Sequence, residues 1–331
     1  MFTETKKLIQ EIVDNGLAPG IDYSLILHGR EQLSQTKGFR MVYPRQELLK
    51  SNQFFDLASL TKVMGTVPII MRLNRQGKLS LDDQVHSYLP EIKDQRVKIR
   101  HLLTHTSGAT AWIDHRDQLN AEELREAIYQ HLKFGEDFNQ KIIYNDYNYI
   151  LLGFIVEKIL HVPVQVAIQR DVLDPLGLKN TTFKPDPLLT VPTEVRTNIV
   201  IKGTVHDPKA ASLGPHAASA GLFGTKSDVV KFILEMLGRS NAFFDKEMLN
   251  EFLLNQTENK KLIRSLGWAF VNRAEKPGLI RHSGFTGTFI LMDLITKNGL
   301  VFLSNRVHPS PNLEFLRYRQ KVYETFLNED F

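Results

Sequence analysis

Leu57-Ala58-Ser59-Leu60-Thr61-Lys62-Val63-Met64 is the stretch that decides how the chain is read. It sets a serine and a lysine three residues apart at the opening of a helical pattern that runs from Ser59 to Leu73. Pro68 lies inside that pattern and would cost about 3 kcal/mol in a regular helix, so a kink or an early end is expected there. A serine at a helix N-terminus sits among backbone N–H groups that can help an oxyanion, and a lysine one turn later shares its face and can take up the hydroxyl proton. Such a lysine must be neutral part of the time, and the apolar neighbours Leu57, Ala58, Val63 and Met64 favour the neutral form. On these residues alone, a helix-capping serine beside an exposed helix lysine reads equally well. A second Ser-x-x-Lys, Ser34-Gln35-Thr36-Lys37, lies on a strand or turn, so Lys37 reads as a solvated charge.

Working outward, Met1 to Gly16 carries Leu8, Ile9, Ile12 and Val13 at helical spacing and stops at Asn15-Gly16. Ile21 to His28 and Leu33 to Phe39 have strand character around Gly29-Arg30, which predicts a hairpin. From Leu81 to Thr182 the signals are helical, with Asn120 and Glu123 as cap and partner of one helix and Pro163 in the first turn of another. Ser227 reads as the cap of a helix that ends at Gly238. Leu266 to Val271, Leu279 to Arg281, Thr288 to Ile295 and Leu300 to Asn305 are strand-like, the last two joined at Lys297-Asn298-Gly299, and Asn312 to Phe326 closes as a helix. This order puts both termini on one sheet-containing lobe, residues 1–80 with 216–331, and leaves 81–215 as a helical lobe. It lacks the strand–helix alternation of a nucleotide-binding chain.

The chain has 331 residues, 42% hydrophobic and 24% charged, which is globular composition. A net charge of +4 without a basic block does not argue for nucleic acid. The longest apolar run, Tyr149 to Val156, is far short of the roughly 20 residues of a membrane span. Cysteine is absent, which removes disulfides and a thiol nucleophile. The amphipathic N-terminus has no secretory apolar core, so a cytoplasmic location is expected. Neither a Gly-x-Ser-x-Gly elbow nor a His-Glu-x-x-His helix occurs. Gly224-Thr225-Lys226-Ser227 reads as a helix cap and not as a phosphate loop. His101 and His105 are one helical turn apart, but no acidic ligand follows at a suitable spacing, so a hydrogen-bonded scaffold is expected in place of a metal pair. Asp82-Asp83 and Glu122-Glu123 read as a cap and a first-turn charge pair.

Further motifs follow in chain order: Leu102-Leu103-Thr104-His105-Thr106-Ser107-Gly108, Tyr144-Asn145-Asp146, Asp174-Pro175-Leu176-Gly177-Leu178, Ser219-Ala220-Gly221-Leu222-Phe223 and His282-Ser283-Gly284. Together with Ser59-x-x-Lys62 they resemble the serine β-lactamase and penicillin-binding protein family, nearest its class C branch with the related esterases and D-aminopeptidases. The likeness runs from about residue 1 to 307. It implies an α/β fold of the α+β type: an antiparallel sheet flanked by helices, an all-helical lobe, and an active site between them. By the same resemblance Ser59 is the nucleophile, Lys62 its proton acceptor and Tyr144 the general base and acid. His282 then stands where the family has the lysine of Lys-Thr-Gly or a substitute, Gly284 and Phe285 border the substrate, and the N–H groups of Ser59 and Phe285 form the oxyanion hole. No metal or organic cofactor is required.

Two positions depart from the family. Its Tyr-x-Asn is Tyr144-x-Asp146 here, and an ionised carboxylate can only accept where an amide would donate. Asp146 is expected either to face the cleft near Lys62, where it would raise that lysine's pKa and attract a substrate ammonium, or simply to cap the helix from Tyr147. His282 is mostly neutral where lysine is cationic, which weakens recognition of a β-lactam carboxylate, unless it is a packed histidine bonded on its strand. The expected function is a serine hydrolase forming an acyl-enzyme on Ser59 and acting on an ester or amide of a small molecule or short D-amino-acid peptide. A true β-lactamase or D-alanyl-D-alanine carboxypeptidase is the alternative within the family, and a catalytically silent ligand-binding or assembly protein the alternative outside enzymes. The oligomeric state is not legible in the sequence.

Overall fold

The computed structural model describes residues 2–271 and 274–329. Helix α1 (Thr3–Asp14) leads into strands β1 (Gly20–Leu27), β2 (Arg30–Met41) and β3 (Glu47–Leu48). Helices α2 (Val67–Arg75), α3 (Ala121–His131), α4 (Asp146–Leu160), α5 (Pro208–Leu213) and α6 (Lys226–Met236) follow, among shorter elements. The chain returns through β4 (Ala269–Phe270), β5 (Leu279–Ser283), β6 (Phe289–Asp293) and β7 (Asn298–Ser304) and closes with α7 (Glu314–Asn328). The seven strands form one sheet in the order β4-β5-β6-β7-β1-β2-β3. Every pairing in it is antiparallel, and β1 joins the two sequence-distant halves by pairing with β7.

Antiparallel sheets often leave one face to water and then alternate polar with apolar residues. This one is covered on both faces, and all eight residues of β1 are buried. Tyr23, Leu25, Phe289, Leu291 and Phe302 point to a cluster completed by Ile9 and Ile12 of α1 and Phe315, Tyr323 and Phe326 of α7. Their neighbours Ile26, Ile290, Met292, Val301 and Leu303 point the other way, to Val229, Phe232 and Ile233 of α6. The period of two thus separates two cores.

The hairpin turns at His28-Gly29, one residue before the expected Gly29-Arg30, because both turn residues take positive φ as a two-residue type I′ turn needs. The segment 81–182 is less helical than its periodicity suggests: up to Leu119 it is mostly turns with the short helix Ile99–Leu103. Asn120 does cap α3, its side chain accepting from Glu122 and Glu123, and Glu123 bonds back to the Asn120 N–H. Pro163 is the residue before the helical turn and not within it. Helix α6 starts after Thr225, which occupies the cap position without a side-chain capping bond, so Ser227 lies within the first turn. Lys226 of that helix pairs with buried Asp22, and Lys37, read as solvated, donates to Gln10. Among the described residues no single helix is long and apolar enough to cross a membrane.

Pro68 does not end its helix, which continues to Arg75. A π-helical turn over Lys62–Thr66 precedes α2, which carries Pro68 in its first turn. The wider turn bonds the Val67 N–H to the Lys62 carbonyl and absorbs the position where proline has no N–H to offer. It also sets the orientation of Lys62.

Candidate active site

The turn that carries Ser59 is built around a strained residue. Ala58 has φ 47°, in the left-handed region that non-glycine residues seldom occupy. Buried Asp56 holds it there: one carboxylate oxygen accepts from the Ala58 N–H at 2.8 Å and the other from the His206 N–H at 2.7 Å. Thr61 Oγ1 donates to the Ala58 carbonyl at 2.7 Å, and Thr286 and Thr288 donate to the carbonyls of Asp56 and Leu57. Ser59 therefore sits at the start of a helix on a turn tied to the β5–β6 connection. Burial pushes the Asp56 carboxyl up to about 6 against those backbone donors.

Lys62 is wholly buried beneath Ser59. Its Nζ donates to Ser59 Oγ at 2.9 Å, to Asp146 Oδ1 at 2.8 Å and to the Ser219 carbonyl at 2.7 Å, which uses all three of its donors. This excludes the exposed helix lysine. Burial pulls the Lys62 pKa down, but the Asp146 carboxylate and Tyr144 pull it up by more, and the net result is above the ordinary lysine range. Asp146 does not cap its helix. Asn145 does, accepting from the Tyr147 N–H at 2.8 Å, and Asp146 is the first residue of α4 with its carboxylate between Lys62 and Lys209. Burial alone would raise its pKa, yet the two ammonium groups hold it well below the usual carboxylate range.

Tyr144 is 47% exposed at the rim, with its ring centroid 5.3 Å from Lys62 Nζ. Its ring lies 4.5 Å from that of His105 and 6.0 Å from that of His282. His105 is a scaffold residue: its Nδ1 faces the Asn145 N–H at 3.2 Å and the Asn148 Nδ2 at 3.0 Å, so Nδ1 accepts and the ring proton sits on Nε2. Burial keeps both His105 and His282 well below the usual histidine pKa. His101 bonds the Lys98 N–H and Glu258, and no group of histidine and acidic residues among the described residues suits a metal ion. His282 lies buried on β5 with neither ring nitrogen hydrogen-bonded, which contradicts the alternative of a histidine bonded on its strand.

Ser59, Tyr144, Asp146, His282, Gly284 and Phe285 line one cleft of about 660 Å³, with Lys62 under its floor. That volume suits a small molecule or short peptide. A Cβ on Gly284 would come within 2.7 Å of the Leu57 carbonyl oxygen, so β5 approaches the nucleophile turn as closely as a glycine permits. Phe285 is exposed, stacks on His206 at 5.3 Å and lies under the Arg306 guanidinium. The structure adds residues that no sequence motif marks: Asp56, Lys209, and the cleft-lining Arg264, Arg281, Arg306 and Arg319. Asp207-Pro208 could have been read as a helix start, but nothing local says that Lys209 meets a carboxylate contributed by α4.

The β-lactamase family model matches residues 5–324. The chain is 27% identical to an N-acetylmuramyl-L-alanine amidase of Bacillus subtilis (strain 168), over 92% of this chain and 82% of that one. It is 28% identical to a putative D-alanyl-D-alanine carboxypeptidase of Salmonella agona (strain SL483), over 91% and 81%. Among solved structures, EstCE1, a hydrolase with promiscuous acyltransferase activity, superposes with a TM-score of 0.78 at 20% identity, covering 97% of this chain and 96% of that one. A class C β-lactamase superposes with a TM-score of 0.77 at 19% identity, covering 99% and 97%. With the fold shared along nearly its whole length, the chain belongs to the β-lactamase family of serine hydrolases.

Proposed function

We propose that Ser59 is the nucleophile of an acyl-transfer cycle that hydrolyses an ester or amide of a small molecule or short D-amino-acid peptide. The observation that carries this is the Lys62 ammonium donating to Ser59 Oγ at the foot of an open cleft. Because Asp146 keeps Lys62 charged, the lysine acts as an electrostatic partner that stabilises the developing alkoxide. The proton relay then falls to Tyr144, whose hydroxyl both accepts and donates. Ser59 Oγ bonds to the acyl carbon and the bond to the leaving group breaks. The Ser59 proton passes to the Tyr144 oxygen while the proton of Tyr144 goes to the leaving group. A water reverses these transfers to release the acid. The N–H groups of Ser59 and Phe285 would hold the oxyanion.

Asp146 is poorly placed to attract a substrate ammonium, one of the two roles open to it from the sequence. Asp146 is already matched by two ammonium groups, and Arg264, Arg281, Arg306 and Arg319 line the same cleft, so acyl or leaving groups that are neutral or anionic fit better. Amidase and carboxypeptidase relatives favour the peptide side of this reading, and the likeness to EstCE1 the ester side. The test is intact mass after exposure to a fluorophosphonate, a penicillin and p-nitrophenyl acetate. Wild type and Ser34→Ala should gain one adduct and Ser59→Ala none, since Ser34 lies exposed on β2. An unmodified wild type with all three reagents would favour a silent binding protein, and equal loss from both serine variants would overturn the site.

A further inference from the structure

A carboxylate in place of the expected amide at position 146 ought to harm this site. It lies 2.8 Å from Lys62 Nζ, and an unshared charge there would draw the ammonium away from Ser59 and oppose negative charge building on the acyl oxygen. The protein answers with a second cation. Lys209 reaches in from α5, a short helix started by Asp207, whose side chain accepts from the Ala210 N–H, and by Pro208 in the first turn. Lys209 Nζ lies 3.1 Å from Asp146 Oδ2 and 3.0 Å from Asp207 Oδ2. The charges run in an alternating row: Lys62, Asp146, Lys209, Asp207. Lys209 is largely buried yet lines the cleft, and with two of its three donors used it keeps one N–H for what binds there.

We propose that Lys209 is a positioning residue that makes an aspartate workable at position 146, sharing its charge so that Lys62 stays on Ser59, and presenting to the substrate the donor that an amide would have presented. The inference rests on the Ser59 reading above and concerns the same site. It explains why the substitution at 146 does not stand alone: the two oxygens of Asp146 are divided between the two lysines, one each.

The groups that could titrate around this row can be named. Lys62 faces Asp146, Tyr144 and Tyr149 from α4 and its lead-in, His105 from the loop before it and His282 from β5, with Arg264 behind Tyr144. Asp146 is paired with the two lysines and shares its cleft with Arg116, His206 and Asp207, and Lys209 pairs with Asp146 and Asp207. His105 and His282 are held neutral by burial, so over about pH 6 to 9 they contribute no charge change to the profile.

The test is a double-mutant cycle on Lys209→Met and Asp146→Asn, with Lys209→Arg as the conservative variant. The readouts are the rate of Ser59 labelling by a fluorophosphonate, and kcat and KM for p-nitrophenyl acetate across about pH 6 to 9. Lys209→Met is expected to slow labelling and lower kcat roughly 10- to 100-fold, with a displaced pH profile, whereas Lys209→Arg stays within about threefold. In the Asp146→Asn background the same Met substitution should cost less than about threefold, because no unshared carboxylate remains. Equal losses in both backgrounds would make Lys209 a merely structural residue and overturn the proposal, as would an unaffected Lys209→Met. Urea unfolding of the same variants reads the coupling without any activity. It should show Lys209→Met more destabilising when Asp146 is present, and additive losses would overturn the pairing. A wild type that resists labelling would instead overturn the Ser59 reading, whatever the unfolding cycle shows.

Discussion

At the scale of single residues, the site surrounds Ser59 with side chains whose charge is fixed by their neighbours and by burial. Lys62 is held as an ammonium by Asp146, and His105 and His282 are held neutral by burial, so none of the three is free to exchange protons near neutral pH. Tyr144 lies half-exposed over Lys62 at the rim of the cleft, where the proposed relay uses its hydroxyl. Tyr144→Phe keeps the ring and its contacts with His105 and His282 and removes only that hydroxyl. Turnover should fall by about 10² to 10⁴ while the urea midpoint stays put. Unchanged turnover would remove Tyr144 from the mechanism. Ser59 and Lys62 could be paired from the local meaning of their spacing, whereas Tyr144 joined them only through the family resemblance; the structure brings Ser59 and Tyr144 to one cleft above Lys62. The fate of Asp146 was only half legible: proximity to Lys62 could be inferred, but the choice between capping and pairing turned on Asn145, which took the cap, and on Lys209, which arrives from a distant segment.

At the scale of elements, the site exists because the end of β5 runs hard against the turn that carries Ser59. Gly284 is the point of contact, where an added methyl would meet the Thr288 hydroxyl and, across the gap, the Leu57 carbonyl oxygen at 2.7 Å and the Ala58 Cβ at 3.2 Å; the last two are the contacts with the nucleophile's side. Both belong to the strained turn, so neither can yield without moving the nucleophile. Gly284→Ala is therefore expected to cut Ser59 labelling at least about tenfold and to destabilise the fold by about 1 to 3 kcal/mol. A variant that labels and unfolds like wild type would show that the strand and the turn can separate freely. The strands themselves were legible from their apolar runs, but the hairpin turns were displaced: the first falls at His28-Gly29, and the second at residues 294–297, because Asn298 and Gly299, expected in the turn, pair with Asp293 and Met292. Pro68 was legible as trouble but not as a solution, because a π-turn answers to the packing of Val63, Met64 and Val67 as much as to the proline. The overestimate of helix between Leu81 and Leu119 has a similar cause: residues such as Val85, Leu89, Ile92 and Val97 are buried by irregular chain folded onto the core, and their spacing imitates a helix face.

At the scale of the whole molecule, burying so many titratable groups around one cleft ties stability to pH, and the sign follows from which protons the folded state refuses. Burial pushes His105 and His282 well below the ordinary histidine value and His308 down to about 4. In the unfolded chain all three protonate near pH 6.5. Their contribution is thus fully present above about pH 6.5 and is lost as the pH falls below it, since the unfolded chain takes up protons that the folded one cannot. Asp56 works in the opposite direction. Burial raises its carboxyl to about 6, so its contribution is full at low pH and declines as the pH rises through that value. Burial also lowers His101 and raises Asp22 and Glu251, and among the raised carboxyls Asp56 is the one set as high as about 6, so between about pH 6.5 and 5 the depressed histidines carry the net sign. Carboxylates held low by cations, Asp146 first among them, lose their contribution only below about pH 4 and stay out of this window. The urea midpoint should therefore drop between about pH 7 and 5. A midpoint that holds steady over that range would mean that His105, His282 and His308 take protons without unfolding.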